Sequence, residues 1–502
     1  TSLGGGAFRD CINVQYAYID IPESAVGGTN SLRFVDDGPT SDRILFVSER
    51  YYTQYLAAAT TFNGGGEAGY YQGNIISIWP DDERSTTYFD ANFGVVDSVL
   101  GDVEDKWKIG DTAGHYLYIG SKTKNIGKGA FEGSSQTSNL GGTLLLPDTL
   151  ETISSNATDQ TFARTKFSSI ASQEGFKEIQ SQAFLECQSI KTVVLPASLE
   201  FVGQRAFYKN DELQRLKIGN NETRVRKTIL DEEAFFACGE SSAKQGVIDL
   251  GYTVDKIGLK CFANGTAAPE EDWILTLNSS AREYGKQSFS RQYNLTNLNL
   301  TKDALYIDQY AFEYCTSLTN VVLPNPNNVY DRAFRFCNNI TGIEIGSEEG
   351  AIDGNLWANS FRDIGTDATN GTLKINKSIA NVDNSAFYGD TNRRWIKNAN
   401  LNCKKIGKSA FRDQLNLDNL IFGWGVKELG IYNNNSSDVF YNCDAIQQIT
   451  IPDPQKISMH SFHYCNGITG VSVGNDIIDT KGTLEQNAFS RIGPVDPTVG
   501  IG

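Results

Sequence analysis

A chain of 502 residues exceeds what a single compact core usually serves, so several domains or an elongated repeat array are expected. With 40% apolar and 21% charged residues and no apolar run of about 18, it has the composition of a folded protein with no membrane-inserted helix. The net charge of −16 disfavours nucleic acid and anionic lipid as partners.

The opening TSLGGGAFRDC has no charged and then apolar leader, so a leader is expected to be absent or already removed. Residues 1–115 hold 17 acids against 7 bases, and ten of the 22 tyrosines lie in the first 118 positions. Within this acidic, Tyr/Gly-rich stretch YAYIDIP (16–22) and NIISIWP (74–80) read as strands, as does YLYIG (116–120) just beyond it. They fit degenerate repeats with long insertions, the favoured reading, or a separate small β-domain interrupting an array. Asp36, Asp37, Asp81, Asp82, Asp102 and Asp105 match no calcium-loop spacing and read as solvated acidic surface. FNGGGEAGYYQG (62–73) lacks the strand and helix context of a phosphate cradle and reads as a loop.

From residue 116 the chain repeats itself. A small residue, Phe, two variable residues and often Cys recur as AFLEC, AFFAC, AFEYC, AFRFC, VFYNC and SFHYC. The Phe falls at 131, 162, 184, 207, 235, 262, 289, 312, 334, 361, 387, 411, 440, 462 and 489, at intervals of 22 to 31 residues. After each Phe comes a second signature such as SIKTVVLP, SLTNVVLP, AIQQITIP or GITGVSVG. Its alternating apolar residues predict a short strand with one buried face, ended by Pro or Gly. One such unit cannot bury its apolar side alone; stacked units can.

The pairing of an LxxIxLP strand with an IGxxAFxxC return, as in Val193, Leu195 and Pro196 followed by Val202, Gly203, Ala206 and Phe207, resembles the BspA-like (Treponema-type) leucine-rich repeat. The resemblance covers residues 116–502. It implies a parallel β-solenoid at the cell surface or outside the cell, often discussed as adhesive. The expected fold is therefore a β-rich solenoid of about 15 coils with a parallel sheet, plus an irregular N-terminal region.

Seven of the nine cysteines, at 11, 187, 238, 315, 337, 443 and 465, stand three places after the Phe. Buried free thiols are favoured slightly, since Thr165, Asn210 or Gln292 fill the same slot elsewhere. Only Cys315 with Cys337, and Cys443 with Cys465, occupy adjacent coils, and disulfides there are the alternative. Catalysis has little support. The three histidines are His115, His460 and His463, and the last two flank Phe462 as surface decoration with no carboxylate expected beside them. Neither a metal nor a cofactor is expected, and the chain reads as a non-enzyme; a site in residues 12–115 is the weaker alternative.

The open strand face is expected to present Leu145, Val194, Lys217, Asp249, Thr276, Asn299, Val322, Glu344, Lys374, Asn402, Ile421, Thr450 and Ser472, with Lys217–Asp249 and Glu344–Lys374 as neutralised neighbours. N-glycosylation sequons occur at Asn156, Asn221, Asn264, Asn278, Asn294, Asn299, Asn339, Asn370, Asn376, Asn434 and Asn435. They point to secretion and leave both ends of the array free of sugars.

The terminal PTVGIG and the opening LGGGAF read as two parts of one split repeat. A head-to-tail joint between Leu3, Ala7, Phe8, Cys11 and Ile21 on one molecule and Phe489, Val499 and Ile501 on the next is therefore expected. The leading expectation is a secreted or cell-surface filament protein that self-associates. The alternative is a surface adhesin or receptor-like ectodomain, part of a longer chain, that binds extracellular proteins or glycans.

Overall fold

The computed structural model describes residues 124–129, 131, 141–220, 222, 225–239, 245–265, 274–367, 370–390, 392–430, 436–474 and 482–493, and the backbone of strands Tyr16–Ile19, Ile44–Ser48 and Asn74–Ile78. The chain divides into two compact units, residues 1–199 and 200–502.

In the first unit those three N-terminal strands form a parallel sheet, Tyr16 opposite Ile44 and Ile44 opposite Asn74. The three strands start 28 and 30 residues apart in sequence. Ile44–Ser48 was not among the expected strands, and 116–120 lies outside the described residues. Three coils follow. Their long strands are Gly141–Leu146, Lys166–Ser172 and Thr192–Leu195, and their short strands are Asn125–Ile126, Thr152–Ile153 and Glu178–Ile179. Long strand pairs with long and short with short, always in parallel.

The second unit repeats this coil over its described length. Twelve short strands run from Phe201–Val202 to Thr483–Leu484 in one parallel order. The long strands form three parallel groups, four from Arg215–Ile218 to Leu295–Leu300, five from Asn320–Leu323 to Asn419–Phe422, and the pair Gln448–Ile451 and Gly470–Val473. With the three short strands of the first unit this makes fifteen short strands among the described residues, in keeping with the expected number of coils.

Each coil has a third side, where the Phe sits. Successive Phe rings stack nearly parallel, as Phe131–Phe162–Phe184 in the first unit at 5.0 Å per step. In the second unit they run from Phe207 to Phe489, for example Phe207–Phe235 at 4.9 Å and 4° and Phe462–Phe489 at 4.9 Å and 3°. This is the offset-stacked range for aromatic pairs, and full burial of Phe312 and Phe334 adds the larger hydrophobic term.

The backbone on this side is not strand, yet it forms a ladder. The amides of Arg205, Phe207 and Lys209 donate to the carbonyls of Glu232, Ala234 and Phe236 one coil on, at 3.1, 2.7 and 2.9 Å. The residues two before and two after the Phe achieve this by taking left-handed φ, as Arg205 and Lys209 do at 56° each and Tyr310 and Tyr314 at 59° and 62°. Non-glycine residues adopt that region at a cost of roughly 1 kcal/mol each. Pairing of otherwise orphaned amides in every coil offsets the cost. The Gly of IGxxAF has a different cause, close approach. A Cβ on Gly285 would fall 2.6 Å from the Ile257 carbonyl oxygen of the preceding coil.

Candidate binding face

Alternation along the long strands puts apolar side chains inward and leaves the other row open. Asn320–Leu323, Asn419–Phe422 and Gln448–Ile451 all alternate exposed and buried. The five strands between Asn320 and Phe422 line a shallow open trough of about 440 Å³. Two rows run across it in register, Asn320, Gly342, Thr372, Asn398 and Asn419, then Val322, Glu344, Lys374, Asn400 and Ile421. Gly342 notches the first row, because a Cβ there would meet Asn320 Oδ1 at 2.4 Å.

Of the two expected neutralised pairs, Glu344–Lys374 forms an ion pair, Lys374 Nζ meeting Glu344 Oε1 at 2.8 Å, while Lys217 and Asp249 are placed opposite each other in register. The Glu344 carboxyl is held below its usual range first by the hydrogen bond from Lys374 and then by that from Asn376. Two positions of the expected row are corrected. Asn278, not Thr276, lies in register with Asp249 and Asn299, and Asn400, not Asn402, with Lys374 and Ile421. In both strands the residue that joins the row lies two places from the expected one, on the same outward face. Asn402 instead closes a turn, accepting from the Gly425 amide at 2.8 Å.

The cysteine slot has a polar role that its size did not suggest. The thiols of Cys187, Cys315, Cys337, Cys443 and Cys465 donate to the carbonyls of Phe162, Phe289, Phe312, Phe411 and Phe440, the Phe one coil back, over 2.8 to 3.3 Å. Gln414 Nε2 does the same for Phe387 at 2.8 Å. Any donor of suitable reach fits, which explains the Cys/Gln exchange. The structure carries Cys315, Cys337, Cys443 and Cys465 as buried thiols, so neither alternative disulfide is present. Burial pushes the Cys187 thiol up to about 11 and Cys403 up to about 12, which makes both poor nucleophiles.

Sequons divide by burial. Asn299, Asn339 and Asn370 are exposed, and Asn156 and Asn278 are partly so. Asn264, Asn294 and Asn376 are corrected as acceptors of the folded chain, being only 4%, 8% and 3% exposed. Asn376 Nδ2 is already bonded to Gly346 O at 2.8 Å, and Asn264 pairs with Gln292, so a glycan there would displace internal hydrogen bonds. Asn221, Asn434 and Asn435 lie outside the described residues, as do Leu3, Ala7, Phe8, Cys11, Ile21, Val499 and Ile501 of the expected joint, His115 and the acidic residues from Asp36 to Asp105. Phe489 is the one joint residue described.

The turn side also departs from expectation at its histidines. Asp438 stands beside His460 and His463, a carboxylate that the sequence spacing did not reveal.

The model for the BspA type leucine rich repeat region matches residues 113–240, 228–362 and 366–492, in six copies. The chain belongs to the BspA-type leucine-rich repeat family. No curated protein matches it in sequence. Solved structures similar to this BspA-type chain include a leucine-rich repeat protein from Bacteroides ovatus, 15% identical, TM-score 0.35, covering 60% of this chain and 79% of that one. The pneumococcal vaccine antigen PcpA is 16% identical, with TM-score 0.29 and coverage of 73% and 79%. A leucine rich cell surface protein from Faecalibacterium prausnitzii is 17% identical, with TM-score 0.30 and coverage of 72% and 88%.

Proposed function

We propose that this BspA-type protein is a secreted or cell-surface interaction scaffold, without catalytic activity, that binds an extracellular protein or glycan along the open face between Asn320 and Ile421. The trough carries the reading. Its two rows set amides, one neutralised ion pair and the exposed Val322 and Ile421 side by side, a mixture suited to a polar, extended partner. Family membership and the exposed sequons support the location outside the cell. The test screens extracellular proteins and a glycan array with the wild-type chain and with Val322→Lys/Asn400→Arg, two outward changes that leave the core intact. Loss of the selected partner in the variant is expected, and undiminished binding by the variant would remove the face from the reading.

A second reading, head-to-tail self-association, is favoured by one observation. Val471, Val473 and Leu484 are 42%, 44% and 59% exposed, although their register partners Ile449, Ile451 and Ile457 are at most 1% exposed. Core-type side chains left open in this way invite another layer, and a second copy would supply it. Negative-stain imaging at micromolar concentration is expected to show rows of subunits that Val471→Lys/Val473→Lys disperses. Dispersed wild-type monomers would discard this reading alone.

A further inference from the structure

The repeat geometry brings two histidines and a carboxylate together. Residues two before the Phe lie in a row on successive coils, because each takes left-handed φ and the Phe rings beneath them stack about one coil apart. Asp438 (φ 46°) and His460 (φ 61°) are such neighbours, over the Phe440–Phe462 stack at 5.1 Å. His463 follows Phe462 directly, and its ring centroid lies 4.5 Å from that of His460. One ligand atom from each of the three side chains falls within 4.8 Å of the others. Two of the three histidines in 502 residues therefore share one turn and face the same carboxylate.

The surroundings fix these groups. The Ser436 hydroxyl donates to Asp438 Oδ1 and its oxygen lies 3.0 Å from His460 Nδ1, so one residue ties the two side chains together; in the tautomer with Nδ1 as donor, Nε2 offers its lone pair to an ion. An outer hydrogen bond that sets the tautomer of a ligating imidazole is the usual companion of a metal-bound histidine. Tyr464 stacks on the His463 ring at 4.1 Å and Tyr441 packs edge-on at 5.6 Å, which holds that ring in place. Asp438 is 9% exposed while both imidazoles are partly open to solvent, so an ion can enter. Arg412 touches Asp438 Oδ2 only at 3.5 Å and has Asp413 as a nearer partner at 3.3 Å, so it can yield that oxygen.

We propose that Asp438, His460 and His463 form a binding site for a late first-row divalent metal ion, of which Zn²⁺ is the natural probe. Two imidazoles and one carboxylate suit Zn²⁺, Cu²⁺ or Ni²⁺ and do not suit Ca²⁺ or Mg²⁺, which take oxygen ligands. Bonds of about 2.0 to 2.2 Å to a tetrahedral ion place ligand atoms roughly 3.4 Å apart, so the three atoms draw in from within 4.8 Å as the ion binds. Three protein ligands leave a fourth position for water or for a group offered by another molecule.

Isothermal titration of the full chain with Zn²⁺ tests this, with cobalt(II) absorption as a second readout. One equivalent is expected, weakened at least about tenfold in each of Asp438→Asn, His460→Gln and His463→Gln, with the cobalt d–d bands lost in the double histidine variant. Gln287 and Asn359 already occupy the His460 and Asp438 type of position with left-handed φ, so Asp438→Asn and His460→Gln retain the fold. His115→Gln serves as the control and should bind as the wild type does. Absence of binding to the wild type up to millimolar Zn²⁺, or equal binding by the double histidine variant, would overturn the site and point to diffuse association with acidic surface.

Discussion

The Phe side and the strand face of the same coils differ in how much they vary. On the Phe side every coil of the second unit repeats one solution, a ring stacked at 4.9 to 5.3 Å, with left-handed residues recurring around it. On the strand face the chemistry changes from coil to coil: Val322, Glu344, Lys374, Asn400 and Ile421 follow one another in register as apolar, acidic, basic, amide and apolar side chains. One side sets spacing and stability, and the other is free to carry recognition. The distinction is energetic, since a buried side chain interacts with the coil above and the coil below, whereas an outward one meets mainly solvent.

The sharpest way to break this comparison is to remove a ring. Phe312→Ala, in the middle of the stack and fully buried, is expected to cost about 3 to 5 kcal/mol by urea unfolding, and the loss should concentrate in the coils on either side. Next comes the donor slot. Gln414→Met keeps the volume but leaves the Phe387 carbonyl without its side-chain donor, which is expected to cost about 1 to 3 kcal/mol in the same assay.

The strand face should give the smallest effect. Glu344→Gln removes the ion pair with Lys374, and both side chains are nearly half exposed, so the change is expected to stay within about 0.2 to 1 kcal/mol and to shrink in salt. Because the Glu344 carboxyl is held below its usual range, its contribution is present above the unfolded carboxylate pKa of about 4.3 and lost as pH falls through the lower folded value. Stability of wild type and Glu344→Gln should therefore converge on acidification, as a pH series of unfolding curves would show. A strand-face effect as large as that of Phe312→Ala would erase the contrast.

Most of this fold was legible because its signals are local and repeated. The Phe spacing and the alternation in NVVL or QITI name the ring stack and the strands directly. What escaped has identifiable causes. Left-handed φ falls on Arg205, Gln287, Tyr310 and His460, none a glycine, so no residue type marked it. Which outward residue of Ile274–Ser279 and Ile396–Leu401 joins the row is set by pairing with the neighbouring strand, which spacing along one strand cannot reveal. The Cys slot was read by size, although its task is a hydrogen bond to a carbonyl one coil away. Asp438 and His460 are 22 residues apart in sequence and become neighbours only once successive Phe turns are stacked, so the cluster needed the tertiary register.

The left-handed positions bear on how such an array changes over time. Twenty-six described non-glycine residues take positive φ, and only a minority are Asn or Asp, the types that tolerate it best. At the exposed ones among the rest, a single exchange to glycine or asparagine relieves local strain without touching the stacked interior. The molecule thus holds scattered, independent opportunities for stabilisation, and a lineage can draw on them to offset destabilising novelty on the strand face, one coil at a time.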